Sequence, residues 1–315
     1  MYHFHRFPLL ATAVTLCSIL LAPAAGGQDL FVGSGASIYR ITPGGVKTTY
    51  VTGLGGVQGL AFDSSGNLFE SDFASQCIYK FTPSGSVSIF ATGLDNGTGL
   101  AFDGSGNLFA ANYNSIYEYT PSGARTVFAT GLSYAVGLAF DSSGNLFEAD
   151  SGSFSINKFT PDGTKTSFAT DLNRASGLAF DSSGNLFESN YNTNDIDKFT
   201  PEGVKSTFAT GLHGPNPLAF DGSGNLFVGD WYDGPIVNFF YSGTIHEFAP
   251  NGVGGVFSDG TGEAYALAFT PSGVVYQTPG PIPLAPPIPT PEPGALATLG
   301  SLALVGAGLL IRRRR

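Results

Sequence analysis

The sequence predicts an all-β fold, a six-bladed β-propeller of four-stranded antiparallel blades, from three observations. A segment with the core Leu-Ala-Phe-Asp, first found at residues 60–63, recurs about every forty residues, a period typical of propellers and solenoids. Each repeat holds four short apolar segments between turn residues, without the apolar period of a helix. An isoleucine occupies the matching place in the third segment of each repeat, and the six isoleucines predict six blades. They are Ile38, Ile78, Ile116, Ile156, Ile196 and Ile245.

The repeat at residues 137–172 shows why each segment is a strand. Residues 138–140, 146–149, 156–159 and 166–169 are the four apolar segments. The first two are joined by Asp-Ser-Ser-Gly-Asn, where the Asp141 side chain can accept backbone N–H groups and Gly144 can adopt a positive φ. The last two are joined by Thr-Pro-Asp-Gly, a β-turn sequence. The repeat is therefore a meander of four strands.

The propeller domain covers residues 28–278, and its two ends are expected to pair. Residues 29–32, 38–41 and 47–51 match the second, third and fourth strands of a blade that lacks a first strand. Residues 266–269 supply that strand, and the pairing removes exposed sheet edges. Residues 274–276 also match a second strand, and we expect the N-terminal copy to take the place.

The repeat pattern Gly-Leu-Ala-Phe-Asp-x-x-Gly-Asn-Leu-Phe, followed by Ile-x-Lys-Phe and a Pro-x-Gly turn, resembles NHL repeats and the SMP-30/gluconolactonase-like propellers. The resemblance covers roughly residues 28–278 and implies the six-bladed fold. It is specific for the fold and weak for activity, because propellers include binding modules, lyases and lactonases.

The two ends of the chain have the composition of targeting segments. Residues 1–25, with an apolar run from Leu9 to Leu21 and then Ala-Pro-Ala, predict a secretory signal peptide rather than a membrane span. Residues 279–293 are a proline-rich linker, residues 294–311 an apolar helix long enough for a marginal membrane span, and residues 312–315 an arginine tail. The arginines predict a cytoplasmic end for this helix.

This C-terminal arrangement resembles the PEP-CTERM sorting signal. Its motif is Pro291-Glu292-Pro293, and its basic end is Arg312, Arg313, Arg314 and Arg315. The resemblance implies export, transient anchoring in the inner membrane, cleavage by an exosortase-type processing enzyme, and release to the cell surface or an extracellular polysaccharide matrix. A plain C-terminal membrane anchor is the alternative.

Charge and cysteine content limit the partners. Residues 28–278 contain 9 basic and 23 acidic residues, a formal charge of −14. That charge disfavours nucleic acids and anionic lipids as partners and is compatible with cations or basic partners. Without Cys17 of the signal peptide, Cys77 has no cysteine to pair with, so the domain depends on burial for stability.

A polar residue ends the second strand of every complete repeat and is expected near one mouth of the channel. Asp and Asn oxygens suit a hard cation such as Ca²⁺, whereas the structural alternative is that each side chain binds backbone groups of its own loop. These residues are Asp72, Asn112, Asp150, Asn190 and Asp230.

The fifth complete repeat carries a nine-residue insertion between its second and third strands. Residues 226 and 248 are 22 positions apart, whereas the equivalent residues 186 and 199 of the preceding repeat are 13 apart. It contains Trp231, the only tryptophan, and Tyr232. These aromatic residues predict either a sugar-stacking platform or an apolar lid over the channel. His213 lies in a loop on the same face.

The resemblance to SMP-30-like lactonases implies a divalent metal held by Glu263, Asn112, Asn190 and Asp230. The Glu-Gly-Pro context of that family is absent around Glu263, which puts lactonase activity in doubt. No nucleophile motif or paired-histidine metal motif is present, so no catalytic residue is predicted. Two functions remain open: a binding or scaffold propeller with a polysaccharide or protein ligand and no cofactor, and a metal-dependent lactonase-like hydrolase or lyase.

Overall fold

The computed structural model describes residues 27–231, 236–237, 240–241 and 243–286. The strands are β1 (Leu30–Ser34), β2 (Ser37–Ile41), β3 (Lys47–Thr52), β4 (Val57–Phe62), β5 (Leu68–Asp72), β6 (Cys77–Phe81), β7 (Val87–Thr92) and β8 (Gly97–Phe102). They continue with β9 (Leu108–Tyr119), β10 (Arg125–Phe140), β11 (Leu146–Asp150), β12 (Ser155–Phe159), β13 (Lys165–Ala169), β14 (Ala175–Phe180), β15 (Leu186–Asn190) and β16 (Asp195–Phe199). The last are β17 (Lys205–Thr210), β18 (Pro215–Phe220), β19 (Leu226–Asp230), β20 (Ile236–Val237), β21 (Phe240–Tyr241), β22 (Thr244–Phe248), β23 (Gly254–Asp259) and β24 (Ala264–Phe269).

The strands form a propeller of antiparallel sheets, as predicted. Four sheets have four strands each, in the orders β24-β1-β2-β3, β4-β5-β6-β7, β14-β15-β16-β17 and β18-β19-β22-β23. A fifth sheet has six strands, β8 to β13, and the insertion adds the small pair β20-β21. The prediction of six separate blades is therefore wrong, because the described residues form five propeller sheets.

Two repeats share the six-stranded sheet because the repeat that begins with β8 has a shorter loop between its second and third strands. Its second and third strands are joined by Tyr113 and Asn114 alone, so both belong to the continuous strand β9. Strand β10 is also continuous, pairing with β9 through its first half and with β11 through its second half. Six inner segments still surround the centre, namely β4, β8, the second half of β10, β14, β18 and β24, and β24 packs on β4 to close the ring.

The closure predicted from the two ends is confirmed. Strand β1 pairs with β24, with Leu30 opposite Phe269 and Val32 opposite Leu267. The Thr270 N–H donates to the Asp29 carbonyl at 2.9 Å, and the Asp29 N–H donates to the Thr270 hydroxyl at 3.0 Å. Residues 274–276, the competing candidate for this place, instead cross beneath the neighbouring sheet, where the Gln277 N–H donates to the Pro83 carbonyl at 2.9 Å.

Apolar clusters lie between neighbouring sheets. In one of them the Phe147 ring contacts Phe168 and Phe180 edge to face, both at a centroid distance of 5.0 Å, and the other repeats have the same pairing. The inner strands approach closely because a glycine precedes the leucine of most repeats. A Cβ on Gly137 would lie 2.2 Å from the Ser176 carbonyl oxygen. Burial between sheets is thus the main source of stability.

The hairpin turns lie on one face of the propeller, called here the lower face. In each turn the aspartate accepts N–H groups, as predicted: Asp141 accepts the Ser143 N–H at 2.9 Å and the Asn145 N–H at 2.8 Å. The opposite, upper face carries the loops that follow each second and fourth strand. No helix in the described ranges is long and apolar enough to cross a membrane. The predicted signal peptide, C-terminal helix, PEP motif and arginine tail lie outside the described residues.

Candidate ligand-binding site

A cavity of about 150 Å³ opens on the upper face at the centre of the ring. Two rings of side chains from the inner strands line it, because alternate residues of a strand point to the same side. The lower ring is apolar and consists of Leu60, Leu100, Leu138, Leu178, Leu218 and Leu267. The upper ring differs from repeat to repeat and consists of Gln58, Thr98, Val136, Ser176, Asn216 and Tyr265. The cavity thus has an apolar floor and varied walls.

Aromatic side chains surround the mouth of the cavity. Tyr134, Tyr191, Trp231 and Tyr265 all line it, and each is partly exposed. The Trp231 ring lies 5.5 Å from Tyr191 and 4.8 Å from Tyr265 between centroids. Its indole N–H donates to the carbonyl of Ala264, the first residue of β24, at 2.6 Å, which fixes the ring at the start of that strand. These four residues, called the aromatic rim below, offer flat apolar faces to a ligand.

Two more aromatic side chains extend this surface outward. Tyr113 is 47% exposed and contacts the Tyr134 ring edge to face at 5.5 Å. Phe73 is 52% exposed at the equivalent place one repeat earlier. Both directly follow the polar residue at the end of the second segment of their repeat, Tyr113 within the continuous strand β9, and Tyr191 and Trp231 have the same place. The upper face therefore offers an aromatic surface wider than the cavity itself.

One cationic side chain joins the aromatic rim. Arg174 lines the cavity, and its guanidinium carbon lies 4.5 Å from the centroid of the Tyr191 ring. It is the only Lys or Arg among the described cavity residues, and no Asp or Glu is among them. The mouth of the cavity therefore carries a positive charge, whereas residues 28–278 as a whole are acidic.

The polar residues that end the second strands lie beneath the upper face, each at most 5% exposed: Asp72, Asn112, Asp150, Asn190 and Asp230. The side-chain oxygens of four of them accept loop N–H groups. The exception is the Asn112 oxygen, which has no hydrogen-bond partner among the described residues. Asp150 accepts the N–H groups of Ser133 at 2.9 Å, Tyr134 at 3.1 Å and Ser153 at 3.0 Å. Asp72 accepts those of Gly55 and Ser75, at 2.5 and 2.8 Å. These contacts hold the loops that carry the aromatic rim.

The four residues considered as metal ligands do not meet at one point. Asn190 accepts the Asn173 N–H at 3.1 Å and donates to Asp197 at 2.8 Å, while Glu263 accepts the Tyr265 hydroxyl at 2.7 Å. Asn112 belongs to β9, two repeats away from Asn190. Within the described ranges, no three His, Cys, Asp or Glu side chains stand close enough together to hold a metal ion. The donor set implied by the resemblance to lactonases therefore does not fit these positions.

The remaining candidates lie around Asp230. The His213 N–H donates to both carboxylate oxygens of Asp230 at 2.8 Å, and the imidazole nitrogens of His213 and His246 lie 4.0 and 3.5 Å from that carboxylate. Trp231 follows Asp230 and reaches the cavity. Tyr232 lies outside the described residues.

Three glutamates are buried in the second strands below the rim. Burial raises the pKa of Glu148 and of Glu188 to about 8, and burial with the nearby Asp72 carboxylate raises the pKa of Glu70 well above its usual value. The Asn157 amide donates to Glu148 at 2.8 Å. These carboxyl groups face neighbouring sheets and do not line the cavity.

Sequence reasoning identified Trp231 and missed Arg174, Tyr134, Tyr191 and Tyr265. One sequence pattern could have predicted the aromatic residues of the upper face. An aromatic residue directly follows the recurring Asp or Asn in four of the five complete repeats, at Phe73, Tyr113, Tyr191 and Trp231. A second was the variable residue two places before each Leu-Ala-Phe, which forms the upper ring of the cavity.

No family model and no curated protein matches the chain. Solved structures do. A chain of a nidogen/laminin complex has a TM-score of 0.69 at 21% identity, over 78% of this chain and 99% of that one. A gluconolactonase from Xanthomonas campestris has a TM-score of 0.59 at 17% identity, over 78% and 90%. The calcium-binding protein regucalcin from Agrobacterium tumefaciens has a TM-score of 0.55 at 15% identity, over 65% and 81%. At these identities the similarity shows the propeller fold alone.

Proposed function

We propose that this protein is a carbohydrate-binding propeller that holds a sugar of an extracellular polysaccharide at the mouth of its central cavity. The observation that carries the proposal is the aromatic rim, with Trp231 between Tyr191 and Tyr265. Flat aromatic faces pack against the C–H surfaces of sugar rings, and the variable polar side chains beneath them offer hydrogen bonds.

The size of the cavity limits how a polysaccharide would bind. Its volume of about 150 Å³ is below the roughly 300–1,000 Å³ of pockets that enclose drug-sized ligands. A single sugar residue would therefore enter, and the rest of the chain would lie across Tyr113 and Phe73 on the upper face.

Trp231 makes the proposal testable, because it is the only tryptophan and its fluorescence reports on the mouth. We expect oligosaccharides of a matrix polysaccharide to change this fluorescence. By calorimetry, Trp231→Ala and Tyr191→Ala should each weaken binding about tenfold, equivalent to ~1.4 kcal/mol. Trp231→Phe keeps a flat ring and should weaken binding less than Trp231→Ala.

Val127→Ala is the matched control, since Val127 is exposed on an outer strand far from the mouth. It should leave the affinity unchanged. Binding that survives both aromatic substitutions, or the lack of any binding across a panel of glycans, would refute the proposal.

Export to the cell surface or matrix is part of this proposal. It is supported by the apolar segment and Ala-Pro-Ala of residues 1–25, and by the Pro-Glu-Pro motif, apolar run and arginines of residues 291–315. Mass spectrometry of the protein secreted by its own cells should give an N-terminus near residue 25 and a C-terminus near residues 291–293. A cell-associated chain with both ends intact would contradict export and processing.

A metal-dependent lactonase-like hydrolase is a second candidate, supported by the fold that the chain shares with a gluconolactonase and with the calcium-binding protein regucalcin. Calorimetric titration with Ca²⁺ and Zn²⁺ tests it directly. Stoichiometric binding that Asp230→Asn abolishes, with hydrolysis of a lactone, would support this candidate, and the absence of both would remove it.

A further inference from the structure

Arg174 occupies a backbone position that does not suit it. Its φ is +68°, in the left-handed region that is costly for residues with a side chain, by roughly 1–2 kcal/mol. The same place before the first strand is filled in other repeats by Gly56, Asn96 and Gly214, all with positive φ. Glycine and asparagine adopt this conformation readily. An arginine here carries strain that its neighbours in the other repeats avoid, and such strain is typical of functional positions.

The side chain of Arg174 is oriented toward the cavity without an anionic partner. Its guanidinium stacks on the Tyr191 ring, which holds the group flat while leaving its N–H edges for other contacts. Four of the nine basic side chains in residues 28–278 have carboxylate partners, among them Arg40 with Asp29 and Lys205 with Asp197. Among the described residues, Arg174 belongs to no ion pair, although acidic residues outnumber basic ones 23 to 9 in residues 28–278.

From these observations we infer that the ligand is an acidic sugar, whose anionic group binds Arg174 while its ring stacks on Trp231. A planar guanidinium binds a carboxylate with two parallel hydrogen bonds, which makes a uronic acid the best match. No Asp or Glu lines the cavity, so a carboxylate bound beside Arg174 would have no acidic side chain in the cavity wall. This inference rests on the proposed carbohydrate-binding function and names the class of sugar.

A matched pair of ligands tests the charge. Oligogalacturonate and its methyl ester have the same sugar rings, but only the first carries carboxylates. We expect the wild-type protein to bind oligogalacturonate about tenfold more tightly than the ester, with an affinity that decreases as salt increases. Arg174→Gln should abolish this preference, whereas the control Val127→Ala should retain it. A sulfated neutral oligosaccharide distinguishes the anion: tighter binding than oligogalacturonate would overturn the assignment of a carboxylate.

Arg174→Gly separates the role of the side chain from folding. Glycine relieves the left-handed strain, so this variant should unfold at a higher temperature than wild type and still lose the preference for oligogalacturonate. Equal binding of the acid and the ester by the wild type would overturn the inference and leave the proposed function standing. Failure to bind either ligand, or any other glycan, would instead refute the proposed function.

Discussion

Glu148 and Glu188 give the stability of this protein a dependence on pH. Both carboxyl groups are fully buried, and burial raises their pKa to about 8, above the usual value of 4.5. Below pH 4.5 they are neutral in the folded and unfolded states alike, and their contribution to stability is fully present. As pH rises from 4.5 through 8 the unfolded chain ionises first, so stability decreases. The expected limiting slope is ~1.4 kcal/mol per pH unit for each carboxyl, measurable by urea unfolding from pH 5 to 8.

Glu188→Val tests this effect at one position. Valine already occupies the equivalent place in β1 and β19, at Val32 and Val228. No hydrogen bond in the described structure satisfies the Glu188 carboxyl oxygens, so valine removes a buried polar group without losing a hydrogen bond. We expect a higher free energy of unfolding at pH 8 and a shallower decrease between pH 5 and 8. Replacement of the exposed Glu202 by Gln should change neither quantity, and an unchanged slope in Glu188→Val would contradict the prediction.

Single residues differed in how well the sequence predicted them. The turn aspartates were predicted correctly, because Asp-x-x-Gly-Asn makes its hydrogen bonds within a few residues. Arg174 was not predicted, since one basic residue in a loop forms no pattern. Its significance depends on a backbone angle, a stacked ring and a cavity that residues from six inner segments create together.

At the scale of the strand, the inner glycines determine how closely neighbouring sheets pack. Gly137→Ala should destabilise the protein by about 1–3 kcal/mol, because the new Cβ would lie 2.2 Å from the Ser176 carbonyl and one strand must move. Thermal unfolding measures the effect. The control is Ala266→Gly, since the equivalent position in β24 already accommodates a Cβ and should lose only the small advantage of alanine over glycine. Equal effects of the two substitutions would show that close approach is not the cause.

The strands were largely predictable, whereas their grouping into sheets was not. Alternating apolar residues and turn sequences mark each strand locally, so the six third-strand isoleucines all lie in strands. The merging of two repeats depends on the two-residue link at Tyr113 and Asn114, which lets β9 and β10 continue where other repeats break. The merging arises from hydrogen bonding between strands. In the sequence it is visible only as a spacing of 38 residues from Asp103 to Asp141, where the neighbouring repeats have 40.

At the scale of the whole molecule, Tyr276 secures the closure of the ring. Its ring lies 5.3 Å from Phe31 of the closing sheet and 5.5 Å from Phe62 of the next sheet, and its hydroxyl donates to the Gly66 carbonyl at 2.7 Å. Tyr276→Ala should cost about 3–5 kcal/mol of unfolding free energy, as for other buried aromatic residues. Tyr276→Phe removes the hydrogen bond alone and should cost about 1 kcal/mol. Urea unfolding compares them, and similar losses would mean that packing across this junction matters little.

Closure itself was predictable because each end of the chain supplies what the other lacks. Residues 29–32 and 274–276 both have the apolar pattern required of the second strand, and the expectation that the N-terminal copy takes the place is confirmed. The structure favours β1 because it is continuous with β2 through a short turn and pairs with it along its whole length. Residues 274–280 then continue beneath the ring to the turn at Gly85.

Both described ends of the chain leave the propeller on the lower face. The Gln28 side chain binds the Thr270 carbonyl and the Gly222 N–H there, and the Gly280 N–H donates to the Gly85 carbonyl. Anything attached close to residue 27 or residue 286, whether a lipid bilayer, a bead or a sensor chip, would consequently lie on the face opposite the cavity. The aromatic rim would then face the surrounding medium, and long polymers would reach it without passing the point of attachment.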